Sequence, residues 1–181
     1  TYSGQAIGIL KEQSHRGALM DAYSHQGTFF YMLSQVERSL QHFEETLQLG
    51  TEVSTRAELR ARANAHYQAS LAHILIAQPG SGLRHAHQCL EDFNQIKRSY
   101  GQEMAYSMLS LSSYMLCHYD DARQYSDDGL ELAERTEAER MLGYLSGFRA
   151  MLEIEAGNLD ASLEYGERAI QIGQHIRQTE T

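Results

Sequence analysis

The sequence of 181 residues contains a single proline, Pro79, and only two cysteines. So few helix breakers, together with abundant Ala, Leu, Glu and Gln, predict helix over nearly the whole chain. Cys89 and Cys117 form neither a disulfide framework nor a metal-binding spacing, which is typical of proteins from a reducing compartment. We therefore expect an all-α, cytoplasmic protein.

Long apolar runs and basic stripes are also missing. The most apolar stretch, residues 71–77, is far too short to span a membrane and contains a histidine. The formal net charge is −9, and Lys and Arg are scattered singly. Because this charge repels phosphate backbones and anionic lipids, we predict no nucleic-acid partner and no membrane partner.

The usual motifs of catalysis and metal binding do not occur either. There is no glycine-rich phosphate loop, nucleophile elbow, zinc-type histidine pair or calcium loop. The pairs Asp120-Asp121 and Asp127-Asp128 are typical of solvated helix faces. His66 and His73 lie seven residues apart on one predicted helix face. We interpret them as polar residues of the surface or groove; the alternative is a metal site. We predict no enzyme activity, no cofactor and no bound metal.

The main positive signal is an internal repeat. Residues 157–172 recur in register at 117–132, each copy with a turn, an acidic helix start, a small residue, a Tyr and a closing aliphatic residue. The small residue is Ser162 in the last copy and Ala122 in the one before. Ala86 and Ser39 fit two earlier copies, at intervals of 40, 36 and 47 residues, and a weaker copy starts near Ala6. Such recurrence is typical of stacked helical units.

Caps and glycines place the helices along the chain. Capping-box patterns begin at Ser34, Thr55, Ser99 and Thr136. The predicted helices run near 4–14, 18–33, 35–50, 55–78, 82–98, 101–116, 119–135, 137–156 and 159–176. Since no single hairpin can bury its apolar face, consecutive antiparallel hairpins must stack on one another.

The pattern in the first hairpin resembles the tetratricopeptide repeat family. Tyr23, Gly27 and Phe30 follow that family's first helix, in which a small residue allows close approach, and Ser39 and Phe43 follow its second helix. The resemblance implies an α-solenoid of antiparallel helix pairs wound as a right-handed superhelix.

On this basis, four hairpins and a leading helix form a single domain over residues 1–181, which we interpret as part of a longer protein. The chain departs from the family in its periods, which exceed about 34 residues, and in lacking the closing proline. Phe93 also occupies a position where a small residue is expected. Long, divergent repeats of this kind resemble those of large bacterial regulators.

In that family, the first helices line a concave groove that binds peptides. Transferred by repeat position, and with a two-residue insertion assumed before Ser81, the resemblance implies a groove lined by Asp21, Ser24, Thr28, Tyr31, His66, His73, Met104, Ser107, Met108, Leu111, Tyr144 and Met151. The charged residues with which some members clamp a terminal carboxylate are missing here, so we expect an apolar partner. The alternative for Met104, Met108 and Leu111 is packing against the next hairpin.

We therefore predict a non-enzymatic scaffold for protein or peptide binding, a regulatory module of a larger bacterial signalling or transcription protein. Its partner would be a peptide, another domain of the parent protein, or a second copy in a homodimer. The alternative is a ligand-sensing domain that holds a small effector or peptide in the concave groove. A sensor would have a closed pocket with convergent polar groups, whereas a scaffold would expose an open apolar surface.

Overall fold

The computed structural model describes residues 5, 7–10 and 15–179. From Arg16 onward, the chain forms α1 (Arg16–Met32), α2 (Val36–Leu49), α3 (Arg56–Leu75), α4 (Pro79–Ile96), α5 (Ser99–Met115), α6 (Tyr119–Arg135), α7 (Glu139–Glu155) and α8 (Leu159–Thr179). Residues 5 and 7–10 are helical, and the rest of the predicted leading helix, with the weak copy at Ala6, lies outside the described residues. Because the described residues contain no strand, the all-α prediction is confirmed. Among these helices, none is both long and apolar enough to cross a membrane.

The helices pair as antiparallel hairpins within two compact units, residues 1–101 and 102–181. In the first unit, α1 packs on α2 and α3 on α4, while α3 also contacts both helices of the first hairpin. In the second unit, α7 packs on both α6 and α8. Stacked antiparallel pairs are the α-solenoid architecture that the repeat predicts. A single domain over the whole chain stays a prediction.

Six of the connections share one turn geometry. In each, the residue two positions before the next helix is left-handed: Ser34, Ala77, Lys97, Cys117, Glu137 and Gly157. The amide after it donates back to a carbonyl five residues earlier, as Gln35 N does to Phe30 O at 2.9 Å and Asn158 N to Glu153 O at 2.9 Å. This is the Schellman motif, which satisfies the last carbonyls of a helix and reverses the chain. Only one of the six left-handed residues is a glycine.

This turn explains why two of the predicted capping boxes are wrong. Thr55 does begin a helix, since its hydroxyl accepts from Glu58 N at 3.1 Å and Glu58 accepts from Thr55 N at 3.3 Å. Ser34 and Thr136 instead lie at the carboxyl ends of α1 and α6, and Gln35 and Ala138 occupy the N-cap positions. The turn therefore takes precedence over the local hydroxyl pattern at these two sites.

The register of the second repeat also differs from the prediction. The second helices of the hairpins begin at residues 36, 79, 119 and 159, at intervals of 43, 40 and 40 residues. Three residues into these helices lie Ser39, Gly82, Ala122 and Ser162. The predicted Ala86 is thus wrong by one turn, because Gly82 and Ala86 are both small residues and lie four apart on the same helix.

The first helix of each hairpin also contains a small residue, nine positions before the second helix of that hairpin begins. The set is Gly27, Ser70, Ser110 and Ala150. The buried hydroxyl of Ser70 donates to Gly82 O at 2.8 Å, and that of Ser110 donates to Ala122 O at 2.6 Å. These hydrogen bonds join the two helices of a hairpin at their small-residue positions.

Two phenylalanines fill the space above glycines in the first unit. A Cβ atom on Gly27 would lie 2.5 Å from the ring of Phe43, so the predicted close approach is confirmed. Phe93 packs against Gly101, where a Cβ atom would overlap its ring. The large residue in the second repeat is therefore accommodated by a glycine at the start of α5.

Candidate functional site

The first helices of the hairpins present equivalent residues 15, 12 and 8 positions before the second helix begins. We call these positions the repeat face. The residues are Asp21, Ser24 and Thr28 in α1; Asn64, Tyr67 and Leu71 in α3; Met104, Ser107 and Leu111 in α5; and Tyr144, Gly147 and Met151 in α7. In three hairpins these positions include most of the predicted groove residues, although Tyr31 and Met108 lie at other positions, and a groove that binds a partner stays a prediction. In the second hairpin, the predicted His66 and His73 are two residues out of register, because α3 and α4 are joined by the same turn as the other pairs and no insertion precedes Ser81.

On α1, the repeat face is polar and its hydroxyls are occupied. Ser24 Oγ lies 3.3 Å from Thr46 Oγ1, and Thr28 Oγ1 donates to Ser24 O at 3.0 Å. Asp21 forms a loose pair with Arg60, at 3.7 Å, across to α3. Tyr31 packs partly buried against the Phe43 cluster, and this burial raises the pKa of its phenol.

His66 and His73 belong to a different group, a histidine stack between α3 and α4. His66 Nδ1 lies 2.9 Å from His85 Nδ1, and the ring of His73 stacks on that of His85 with centroids 5.3 Å apart. Burial lowers the pKa of both His66 and His85 to about 4, helped by the charge of Arg62 on His66. Both rings are therefore neutral at pH 7. Within the described residues, no three His, Cys, Asp or Glu side chains are arranged to hold a metal.

In the second unit, several apolar side chains on and beside the repeat face are exposed. Tyr144 is 50% exposed, Met151 44% and Ile154 57%, with Met115 also exposed. Leu111 packs partly buried against the cluster that contains Phe148. We call Leu111, Met115, Tyr144, Met151 and Ile154 the apolar face. Met115 and Ile154 occupy later positions on the same helix faces.

The other predicted residues of α5 lie deeper. Met108 is 2% exposed and Ser107 3% exposed, while Met104 is partly buried. Met108 follows the repeat-face residue Ser107 by one position, which turns its side chain into the core. For Met108, the packing alternative therefore agrees with the structure, and a partner could not reach its side chain without opening the unit.

Tyr114 ties the two helices of the apolar face together at one end. Its hydroxyl donates to Glu155 Oε1 at 3.1 Å, and its ring meets that of Phe148 edge-on, with centroids 5.8 Å apart. Partial burial, followed by the carboxylate of Glu155, raises the pKa of the phenol. Sequence reasoning missed this pair, although an aromatic residue three positions beyond Leu111 was a signal for it.

Several solved structures share this fold. The chain is similar to aspartyl phosphate phosphatase F from Bacillus subtilis, with a TM-score of 0.83 and 13% identity over 97% of this chain and 45% of that one. It is similar to the apo form of RapI, with a TM-score of 0.71 and 17% identity over 98% of this chain and 76% of that one. It also resembles the Rap conjugation gene regulator of the plasmid pLS20 in complex with the Phr* peptide, with a TM-score of 0.73 and 15% identity over 90% of this chain and 45% of that one.

At these identities, the likeness shows the fold alone. The chain spans less than half the length of the phosphatase and of the plasmid regulator. No protein-family model matches the sequence, and no match was found among curated proteins. The chain therefore has the helical-repeat fold of these structures, built from the stacked antiparallel pairs described above.

Proposed function

We propose that the chain is a non-enzymatic scaffold that binds protein or peptide, as a regulatory module of a larger bacterial signalling or transcription protein. The observation that carries the proposal is the apolar face of the second unit. One structure of the same fold is a conjugation gene regulator in complex with a peptide, which supports a binding role for a surface of this kind.

The chemistry of the apolar face suits a peptide. Soluble proteins rarely leave apolar side chains contiguous and exposed unless a partner covers them. Methionine adapts its shape to varied apolar surfaces, and tyrosine offers a flat ring with a polar tip. The partner we expect is an amphipathic helix that lays its apolar side on Met115, Met151 and Ile154.

The nearby carboxylates support a binding role rather than catalysis. Glu153 is buried and accepts from Asn158 Nδ2 at 2.7 Å, while Arg149 Nε lies 2.9 Å from it. The hydrogen bond from Asn158, outweighing burial, lowers the pKa of Glu153. Arg149 also pairs with Asp127 at 2.7 Å. These ion pairs involve side chains of α6 and α7 and contribute to the packing of the two helices.

A displayed library of amphipathic helical peptides, selected against the purified chain, tests the proposal. We expect selected peptides to bind through apolar residues, and the double variant Met115→Glu with Met151→Glu to lose on the order of tenfold or more in affinity. Phe29→Glu with Met32→Glu is the matched control, because it places the same charges on exposed apolar residues of α1. If both double variants melt like the wild type and bind the selected peptides equally, the apolar face is not the binding surface.

A further inference from the structure

A second candidate site lies in the first unit, where α3 begins and α4 ends. One cavity of about 410 Å³ is lined by Arg56, Ala57, Arg60, Ile96 and Arg98. A second cavity of about 470 Å³ adjoins it and is lined by Val53, Ser54, Thr55, Arg56, Leu59, Gln95, Ile96 and Lys97. Because Arg56 and Ile96 line both cavities, the two form one elongated depression, which we call the basic cleft.

The local sequence builds the cleft by lengthening one helix. α3 begins 23 residues before its partner helix, whereas α1, α5 and α7 each begin 20 residues before theirs. The additional turn carries Arg56, and Arg60 follows one turn later on the same face. Beside the start of α3, α4 stops at Ile96 and the chain reverses through Lys97, which is left-handed with φ 52°, to reach Arg98. Arg56 Nη2 donates to Ile96 O at 2.8 Å and fixes one guanidinium across the cleft.

The charges in the cleft are not balanced. Four cations line the two cavities, and among the described residues no acidic side chain lines either of them. The loose contact of Arg60 with Asp21, at 3.7 Å, joins two half-exposed side chains. Elsewhere in the same unit, arginines meet carboxylates closely, as Arg16 does Glu58 at 2.7 Å and Arg62 does Asp92 at 2.6 Å.

Like charges gathered in a depression repel one another and raise the local concentration of anions. At the start of α3, the amides of Thr55 and Glu58 are already engaged in the capping box. The side chains of the arginines and Lys97 are therefore the groups that a ligand would meet.

We propose that the basic cleft binds an acidic peptide segment. Carboxylates would meet the guanidinium groups of Arg56, Arg60 and Arg98, whose planar donors match a carboxylate with two parallel hydrogen bonds. Val53, Leu59 and Ile96 form an apolar wall beside these donors, which a bare inorganic anion would leave uncovered. An apolar residue between acidic ones fits both parts of the depression. This site shares no residue with the apolar face, so either site can fail without the other.

The probe is a fluorescein-labelled hexapeptide of alternating leucine and glutamate, measured by fluorescence anisotropy with the whole chain at low salt and at 0.15 M salt. We expect binding that weakens with salt, and a loss on the order of tenfold in the double variant Arg56→Gln with Arg60→Gln. Arg38→Gln with Arg84→Gln is the matched control, because it removes the same charge from exposed arginines outside the cleft. We expect it to bind like the wild type.

The hexapeptide with glutamine in place of glutamate and inorganic phosphate as a competitor complete the design. A hexapeptide that fails to bind, or binds equally to both double variants, would overturn the proposal. Equal binding of the glutamine peptide would show that the carboxylates are not recognised. If phosphate displaced the hexapeptide completely at matched ionic strength, the cleft would be a site for small anions and not for a peptide. Thermal melting of each variant confirms that the fold is retained in every comparison.

Discussion

Lowering the pH from 8 to 5 should destabilise the chain through the histidine stack between α3 and α4. Burial lowers the pKa of His66 and His85 to about 4 in the folded chain, from an ordinary value of 6.5. The charges of Arg62, Arg84 and the neighbouring histidines act in the same direction. Between pH 6.5 and 4, the unfolded chain therefore binds more protons than the folded chain. The contribution of these two histidines to the free energy of unfolding is fully present above about pH 6.5, and it is lost as the pH falls towards 4.

The size of the effect follows from the two pKa values. At pH 5, an unfolded histidine is almost fully protonated while a folded one with a pKa of about 4 is mostly neutral, which costs about 2 kcal/mol for each residue. The Nδ1–Nδ1 hydrogen bond survives one proton, because the charged ring can still donate to the neutral one. A second proton would leave both facing nitrogens as N–H donors, so no hydrogen bond could form between them. We therefore expect a loss of about 2 to 4 kcal/mol, a large part of a typical stability of about 5 to 15 kcal/mol.

Urea unfolding followed by circular dichroism at pH 8, 7, 6 and 5 measures this loss. The double variant His66→Asn with His85→Gln removes both titrating rings and should show a much flatter dependence on pH. His118→Gln changes an exposed turn histidine and should behave like the wild type. If the double variant lost as much stability as the wild type between pH 8 and 5, the histidine stack would not be the origin of the acid sensitivity.

Two further predictions concern the packing and the turns. Gly27→Leu should destabilise the first unit by about 1–3 kcal/mol or more, because a side chain there meets the ring of Phe43, and an unchanged thermal melting curve would contradict the close approach. Ala77→Gly should stabilise the chain by up to about 1 kcal/mol, because Ala77 is left-handed with φ 56° and glycine removes that strain at a smaller entropic cost. Urea unfolding checks this result, with Ala150→Gly, inside a helix, expected to destabilise instead.

The sequence was sufficient for the helices and for three of the four hairpins. The repeat together with the capping pattern placed a helix at 119–135, where α6 lies, and the family-like pattern of the first hairpin placed Gly27 at a close contact. These features depend on residues near one another in the chain, so periodicity and propensity report them directly. The repeat-face positions of α1, α5 and α7 follow from the same local pattern.

The second hairpin shows where local patterns stop being informative. Gly82 and Ala86 both fit a small-residue position, and only the hydrogen bond from Ser70, in the other helix, distinguishes them. His85 joins His66 and His73 through a contact between helices that no spacing within one helix reveals. The basic cleft likewise arises because two segments some forty residues apart converge, although lysines and arginines look scattered along the sequence.

Phe93 and Gly101 also constrain how this sequence can diverge. The ring of Phe93 occupies the space that any side chain at position 101 would need, so neither position can change size independently. A smaller residue at 93 would leave a cavity, and a larger residue at 101 would displace the ring. Among homologues, the two positions should therefore covary, with a bulky residue at 93 accompanied by glycine at 101 and a small residue at 93 accompanied by a larger one at 101. Such a paired exchange would preserve the helix packing and would bring the second repeat closer to the family pattern, which has a small residue at position 93.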